Sequence, residues 1–211
     1  GTTRLAVDVR DWTIDNTPGS ATCEVAVKIP SVSSSVDTTI YMYYGNNSLA
    51  ADLSTTTGVW SDNFQLVWHL GEAGSGAVDE YQDSSPSQAH GTGGKDGNSS
   101  TGNSSETPDR SACRFGYCQD FDQNSTTYGD KISSRDLDDT WSAVTGSVWI
   151  YADAAGDDRV WGKTWGTGST DNTINMRITG TGASTLGCRF RSDADSTTGY
   201  EPGSVSNGEW I

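Results

Sequence analysis

An all-β chain, its short strands paired as a β-sandwich or jelly roll, is what the sequence predicts, and three observations predict it. Runs with strand-type alternation recur along the chain, no window longer than two turns holds a helical period, and Gly, Ser, Asn and Asp clusters fill every gap. Residues 22–29 alternate strictly, with Cys23, Val25, Val27 and Ile29 expected inward and Thr22, Glu24 and Lys28 outward. Pro30 ends that strand because it has no N–H for a ladder. Residues 38–44 are rich in β-branched and aromatic side chains and run into a Gly45-Asn46 turn signal. Further strands are expected over 65–70, 144–151, 159–163, 174–179 and 186–191. Residues 84–109 are almost wholly Gly, Ser, Thr, Asn and charge, a composition expected to form a loop rather than a packed element. Residues 51–63 read as a connection, so two modules are expected, over 1–58 and 64–211.

Composition narrows the function classes. The 211 residues carry a net charge of -15, with an isoelectric point near 4.2. Such a surface repels nucleic-acid phosphates and anionic lipids, and it suits divalent cations. No apolar run is long enough to span a bilayer, so no membrane insertion is expected. Eight Trp and eight Tyr supply large pieces for a core in a chain only 33% hydrophobic.

Four cysteines allow three pairings, which spacing alone does not resolve. Cys113 and Cys118 would stand about 17 Å apart along a strand, whereas a disulfide needs Cα atoms roughly 4.4–6.8 Å apart. They bridge only if the chain turns back at Phe115-Gly116, which the glycine permits, and this pair is the one expected to be bonded. Cys23 and Cys188 sit at apolar alternation positions and read as buried thiols on separate core faces. A bridge in a Ser/Thr/Gly-rich chain points to an oxidising, extracellular or cell-surface setting.

Ordered motifs carry a resemblance to known families. The segments Gly1-Thr2-Thr3-Arg4-Leu5-Ala6, Ala21-Thr22-Cys23-Glu24-Val25-Ala26-Val27-Lys28-Ile29-Pro30 and Thr38-Thr39-Ile40-Tyr41-Met42-Tyr43-Tyr44-Gly45-Asn46 resemble the second half of a β-module of unassigned function found in secreted proteins. Then come Val67-Trp68-His69-Leu70-Gly71-Glu72, Asp83-Ser84-Ser85-Pro86-Ser87-Gln88-Ala89-His90-Gly91, Phe115-Gly116-Tyr117-Cys118-Gln119-Asp120-Phe121-Asp122, Tyr128-Gly129-Asp130-Lys131-Ile132 and Ser147-Val148-Trp149-Ile150-Tyr151. In that order they resemble a laminin-G-like (concanavalin A-like) jelly roll. The resemblance implies an all-β architecture in which a smaller, incomplete β-module precedes a jelly roll truncated at its C-terminal end. It departs from the family at Asp122-Gln123, where the family has Asp-Gly, and Asn207-Gly208-Glu209-Trp210-Ile211 looks like the start of a further family strand.

The residues that could carry chemistry favour binding over catalysis. The Glu-x-Asp-x-Glu series by which concanavalin A-like glucanases aim paired acids into a cleft does not occur. His69 and His90 have no partner pattern for a triad or a zinc site, and His69 between Trp68 and Leu70 reads as a packed or edge histidine. The expectation is therefore that the chain is not an enzyme. Asp83, Asp122 and Asp130 fall at the family's acidic loop positions, and the resemblance implies a structural calcium in some members. Their alternative is local, as aspartates that organise their own turns. Trp161 and Trp165, four apart on one strand, share a face and form a candidate sugar platform, as do Trp149 and Tyr151, although such rings more often fill a core. Function is accordingly expected to be extracellular adhesion or carbohydrate binding, with a glycan or surface protein as partner. The alternative is a structural building block of a filament, surface layer or virion appendage, whose partners are neighbouring subunits.

Overall fold

A computed structural model describes residues 3–14, 21–46, 48, 53–95, 101–114, 116–122, 129–135, 137, 143–153, 158–165, 172–179, 184–191 and 197–211. The chain divides into two compact units, Gly1–Trp141 and Ser142–Ile211. Among the described residues regular structure is almost entirely β, in three two-stranded sheets and one four-stranded sheet.

In the first unit, β1 (Val7–Ile14) pairs antiparallel with β2 (Ala21–Val27), with a register shift between Val9 and Asp11. Along β2 the alternation works only in part. Val25 and Val27 are half-buried, while Cys23 and Ile29, expected inward, are exposed. A two-stranded ribbon has too little surface to enclose a whole face. Residues 38–44, expected as a strand, form none, and Ile40, Tyr41, Met42, Tyr43 and Tyr44 are exposed. High β propensity describes how well a side chain fits a pleated, half-buried surface, and no strand among the described residues supplies one here.

One turn of helix, α1 (Thr56–Val59), buries Val59, and Thr55 N–H donates to Val7 O (2.7 Å), tying this segment to β1. β3 (Gly91–Gly93) pairs with β6 (Ile132–Ser134), and β4 (Asp109–Ala112) pairs with β5 (Tyr117–Asp120), with a 3-10 turn at Ser104–Glu106 between them. Residues 84–95, expected as an unpacked loop, contribute much of this unit's interior. Ser84, Ser85, Ala89 and Gly91 to Gly94 are all buried. Glycine makes this possible by close approach: a Cβ on Gly91 would stand 2.7 Å from Ile132 Cγ2 and 2.9 Å from Trp68 Cζ2. The missing apolar volume is thus replaced by backbone packed directly against rings.

Chain reversal at 113–118 follows the expected geometry. Gly116 takes φ +62°, Cys113 N–H donates to Gly116 O (3.0 Å), and Ala112 pairs with Tyr117. The Cα atoms of Cys113 and Cys118 lie 5.7 Å apart and the two are disulfide-bonded, leaving Cys23 and Cys188 as free thiols.

The second unit is a meander. β7 (Asp158–Trp165), β8 (Asn172–Thr179), β9 (Ser184–Arg191) and β10 (Thr197–Val205) follow one another antiparallel, in spatial order β10-β9-β8-β7. Register places Trp161, Met176, Cys188 and Tyr200 in one cross-strand row. The expected strands over 159–163, 174–179 and 186–191 are therefore present. Residues 144–151 are shorter in structure than expected, joining a ladder only around Ile150 and Tyr151.

Replacing both Cys113 and Cys118 by Ser should lower stability by about 2 kcal/mol, because the short loop then gains freedom in the unfolded chain. Thermal melts with and without reductant measure this, and reductant should move only the wild type.

Candidate functional site

Asp83 is the hub of the first unit's interior. It is 5% exposed. Its Oδ1 accepts from the N–H of Val67 (2.8 Å) and Ser85 (2.9 Å), and its Oδ2 accepts from the Ser85 hydroxyl (2.8 Å) and Ala89 N–H (2.8 Å). The Ser87 hydroxyl stands 2.9 Å from the same Oδ2 and 2.6 Å from Gln65 O, sharing one proton between them. A carboxylate has about four lone-pair sites, so the chain's own donors fill them. Asp83 N–H in turn donates to His90 Nδ1 (3.0 Å). Burial alone raises the Asp83 carboxyl, but donors from Val67, Ser85 and Ala89 outweigh it and hold the group below the usual carboxylate range.

Of the three aspartates expected to hold calcium, Asp83 is thus spent on its own loop. Asp130 Oδ2 accepts from Asp122 N–H (2.9 Å), and Asp130 N–H donates to Asp122 O (3.0 Å), so those two are tied to each other. Among the described residues no cluster of three His, Cys, Asp or Glu side chains has the geometry of a metal site. A calcium ion at Asp83 would have to displace several protein hydrogen bonds.

Glu80 repeats the pattern nearby. It accepts from the N–H groups of Ser75 (2.7 Å), Gly76 (2.9 Å), Ala77 (3.2 Å) and Gly93 (3.2 Å), and from the Ser75 hydroxyl (2.9 Å). Tyr81, 0% exposed, lies between these two acids and donates its hydroxyl to Gln119 Oε1 (3.1 Å). The Gln119 amide donates onward to Leu70 O (2.9 Å) and Glu72 O (2.8 Å), and Leu70 takes the unusual φ of +59°. Burial, and then the charges of Glu80, Glu72, Asp130 and Asp109, push the Tyr81 phenol far above its ordinary value, so it stays protonated as a donor.

A further pair went unread in the sequence. Asp8, buried on β1, accepts at Oδ2 from Trp60 Nε1 (2.7 Å) and lies 2.7 Å from His69 Nε2. His69 also packs on Trp60, with ring centroids 5.9 Å apart. The histidine is packed, as its neighbours Trp68 and Leu70 suggested. Its partner is 61 residues away, and no local pattern announces it. The pair links the segments expected as separate modules, since Asp8 belongs to 1–58 and His69 to the segment after residue 64. Burial raises the Asp8 carboxyl, and hydrogen bonds from His69 and Trp60 with the charges of His69 and Arg10 bring it below the usual range.

In the second unit the aromatic candidates separate. Trp161 is half-buried and its indole packs against Gly146, where an added Cβ would lie 2.4 Å from Cζ2. Trp165 ends β7, and its side chain lies outside the described residues. Trp149 and Tyr151 are 57% and 50% exposed. Ile150 and Ile211 exchange both backbone hydrogen bonds (3.0 Å each), which makes Tyr151 and Trp210 the adjacent non-hydrogen-bonded pair. Side chains come closest at such pairs, and the two rings meet at 5.6 Å, tilted by 53°. Trp149 and Tyr151 are exposed and Trp210 beside Tyr151 is half-buried, which makes this one of the exposed aromatic groups among the described residues, Tyr41, Tyr43 and Tyr44 being another.

Comparison with protein-family models, with curated proteins and with solved structures found no match to the chain.

Asp83→Asn should cost about 3 kcal/mol, since an amide replaces the acceptor facing Ala89 N–H and a buried donor loses its partner. Urea titration at pH 7 measures it. In the wild type, Asp8 and Asp83 have native pKa values below their unfolded ones. The stability they contribute is complete above about pH 4 and is lost as pH falls through the native values. Melts from pH 7 to pH 2 should show this decline, and it should be shallower in Asp83→Asn. EDTA should leave the wild-type melt unmoved, whereas a drop restored by calcium would put an ion among these loops.

Proposed function

We propose that the chain is a non-catalytic carbohydrate-binding module of an extracellular surface protein, with strands organised as a laminin-G-like jelly roll. The observation that carries this reading is the pair of exposed rings Trp149 and Tyr151, with the half-buried Trp210 set against Tyr151. Large rings are rarely left in water unless they serve a contact, and an amphipathic ring face suits the C–H face of a sugar while its hydroxyls find polar neighbours. Setting agrees with this reading. The Cys113–Cys118 disulfide favours an oxidising compartment, and no helix among the described residues is long and apolar enough to cross a membrane.

A structural role within an assembly is the second reading, and one observation favours it. The apolar run from Ile40 to Tyr44 is exposed and in no strand, as expected of a segment that a neighbouring subunit covers.

A glycan array separates the two, because a purely structural module gives no saturable binding. The carbohydrate reading expects binding that Trp149→Ala and Tyr151→Ala each weaken roughly tenfold, or about 1.4 kcal/mol, with circular dichroism unchanged. Binding indifferent to both substitutions would remove the aromatic group from the site.

A further inference from the structure

Burial alternates along the segment that carries the exposed rings. Trp149 and Tyr151 are 57% and 50% exposed and Asp153 is exposed, while Ile150 is half-buried and Ala152 is 8% exposed. Alternate residues of an extended chain point to the same side, so Trp149, Tyr151 and Asp153 form one outward row, each roughly 6.7 Å from the next. Trp210 joins that side across the ladder, its ring centroid 5.6 Å from that of Tyr151. Gly208, with φ +81°, donates its N–H to Ala152 O (2.8 Å) and so stands toward the Asp153 end of the row. A Cβ added at Gly208 would have only the Tyr151 hydroxyl within 4 Å, at 3.7 Å. Bare backbone at that point leaves the surface beside the hydroxyl open to a ligand.

The charge of this surface has one sign. Residues 142–153 and 206–211, which build it, contain no Lys or Arg, and their only charged side chains are Asp153 and Glu209, both exposed. The Asp153 carboxylate makes no hydrogen bond or ion pair among the described residues. An anionic sugar would bring like charge to it, with no cation in either segment to offset the repulsion. A neutral sugar would engage the rings alone. A protonated amino sugar uses both features: its C–H face covers a ring while its ammonium donates to the carboxylate in a charge-assisted hydrogen bond. The electron-rich faces of the indole and phenol rings attract the same cation.

From this juxtaposition we infer that the aromatic group binds a glycan carrying free amino groups, its sugar rings on Trp149 and Tyr151 and an ammonium at Asp153. The inference rests on the carbohydrate-binding reading above and names the class of glycan. A net charge of -15 attracts any polycation. The distinguishing property is therefore dependence on Asp153 and the rings together, and not cation binding as such.

The test is titration calorimetry of the full chain, at mildly acid pH and physiological salt, with a glucosamine oligomer, its N-acetylated counterpart and an oligolysine of equal length. The glucosamine oligomer should bind roughly tenfold more tightly than either of the others. Asp153→Asn should remove that preference, Asp153→Glu should keep it, and Trp149→Ala should weaken the glucosamine oligomer roughly tenfold. Circular dichroism melts verify that the variants fold. A preference that survives Asp153→Asn, or oligolysine bound as tightly as the amino sugar, overturns the inference. Equal affinity for the N-acetylated oligomer, still dependent on Trp149, overturns it while leaving the carbohydrate reading intact. Absence of binding to every glycan on the array and in solution removes both.

Discussion

The carboxylate of Asp83 is the interaction around which the first unit is organised. It collects donors from residue 67 on one side and from residues 85 and 89 on the other, so a single side chain holds together strand-like and loop segments that share no long ladder. Charge-assisted hydrogen bonds in a buried setting are about twice as strong as neutral ones, and leaving any of those donors unpaired would be costly. This makes the carboxylate a structural centre in a region with little apolar volume. Glu80 and Asp8 follow the same logic, each surrounded by donors that come largely from the backbone or from an aromatic ring.

The second unit obeys a different rule. β8 and β9 alternate in the ordinary way, with apolar residues at every second position, β7 and β10 each carry a register shift, and consecutive strands lie next to one another. Local connections and a period of two suffice to specify that meander. The two units thus illustrate two ways of satisfying backbone polar groups: a regular ladder, and carboxylates that act as shared acceptors for irregular loops.

Function, on the reading proposed above, resides in what these two strategies leave at the surface of the second unit. The short pairing of residues 150–152 with 208–211 leaves Trp149 and Tyr151 exposed and sets Tyr151 on Trp210. Of the loop aspartates that the sequence offered as metal ligands, Asp83 accepts hydrogen bonds from residues 67, 85 and 89 and Asp130 accepts one from Asp122 N–H, so both carboxylates take part in holding loops in place.

By itself the sequence determined that the chain is built of strands, where three of the meander's four strands lie, and that the chain turns back between Cys113 and Cys118. Period-two alternation, turn residues and chain reach are local properties, and each is visible within a window of a few residues. Tertiary structure alone decided which polar residues would be buried, because that depends on partners distant along the chain. Asp8 meets Trp60 and His69 across more than fifty residues. Residues 84–95 pack despite their composition, since their hydrogen-bonding groups find acceptors in Asp83 and Glu80 and their glycines admit neighbouring rings. Residues 38–44 show the converse: strong strand propensity without a pairing neighbour leaves apolar side chains in water. The register of β7 against β8 shifts by one residue between Arg159 and Trp161, and no alternation pattern reveals such a bulge until the partner strand is in place.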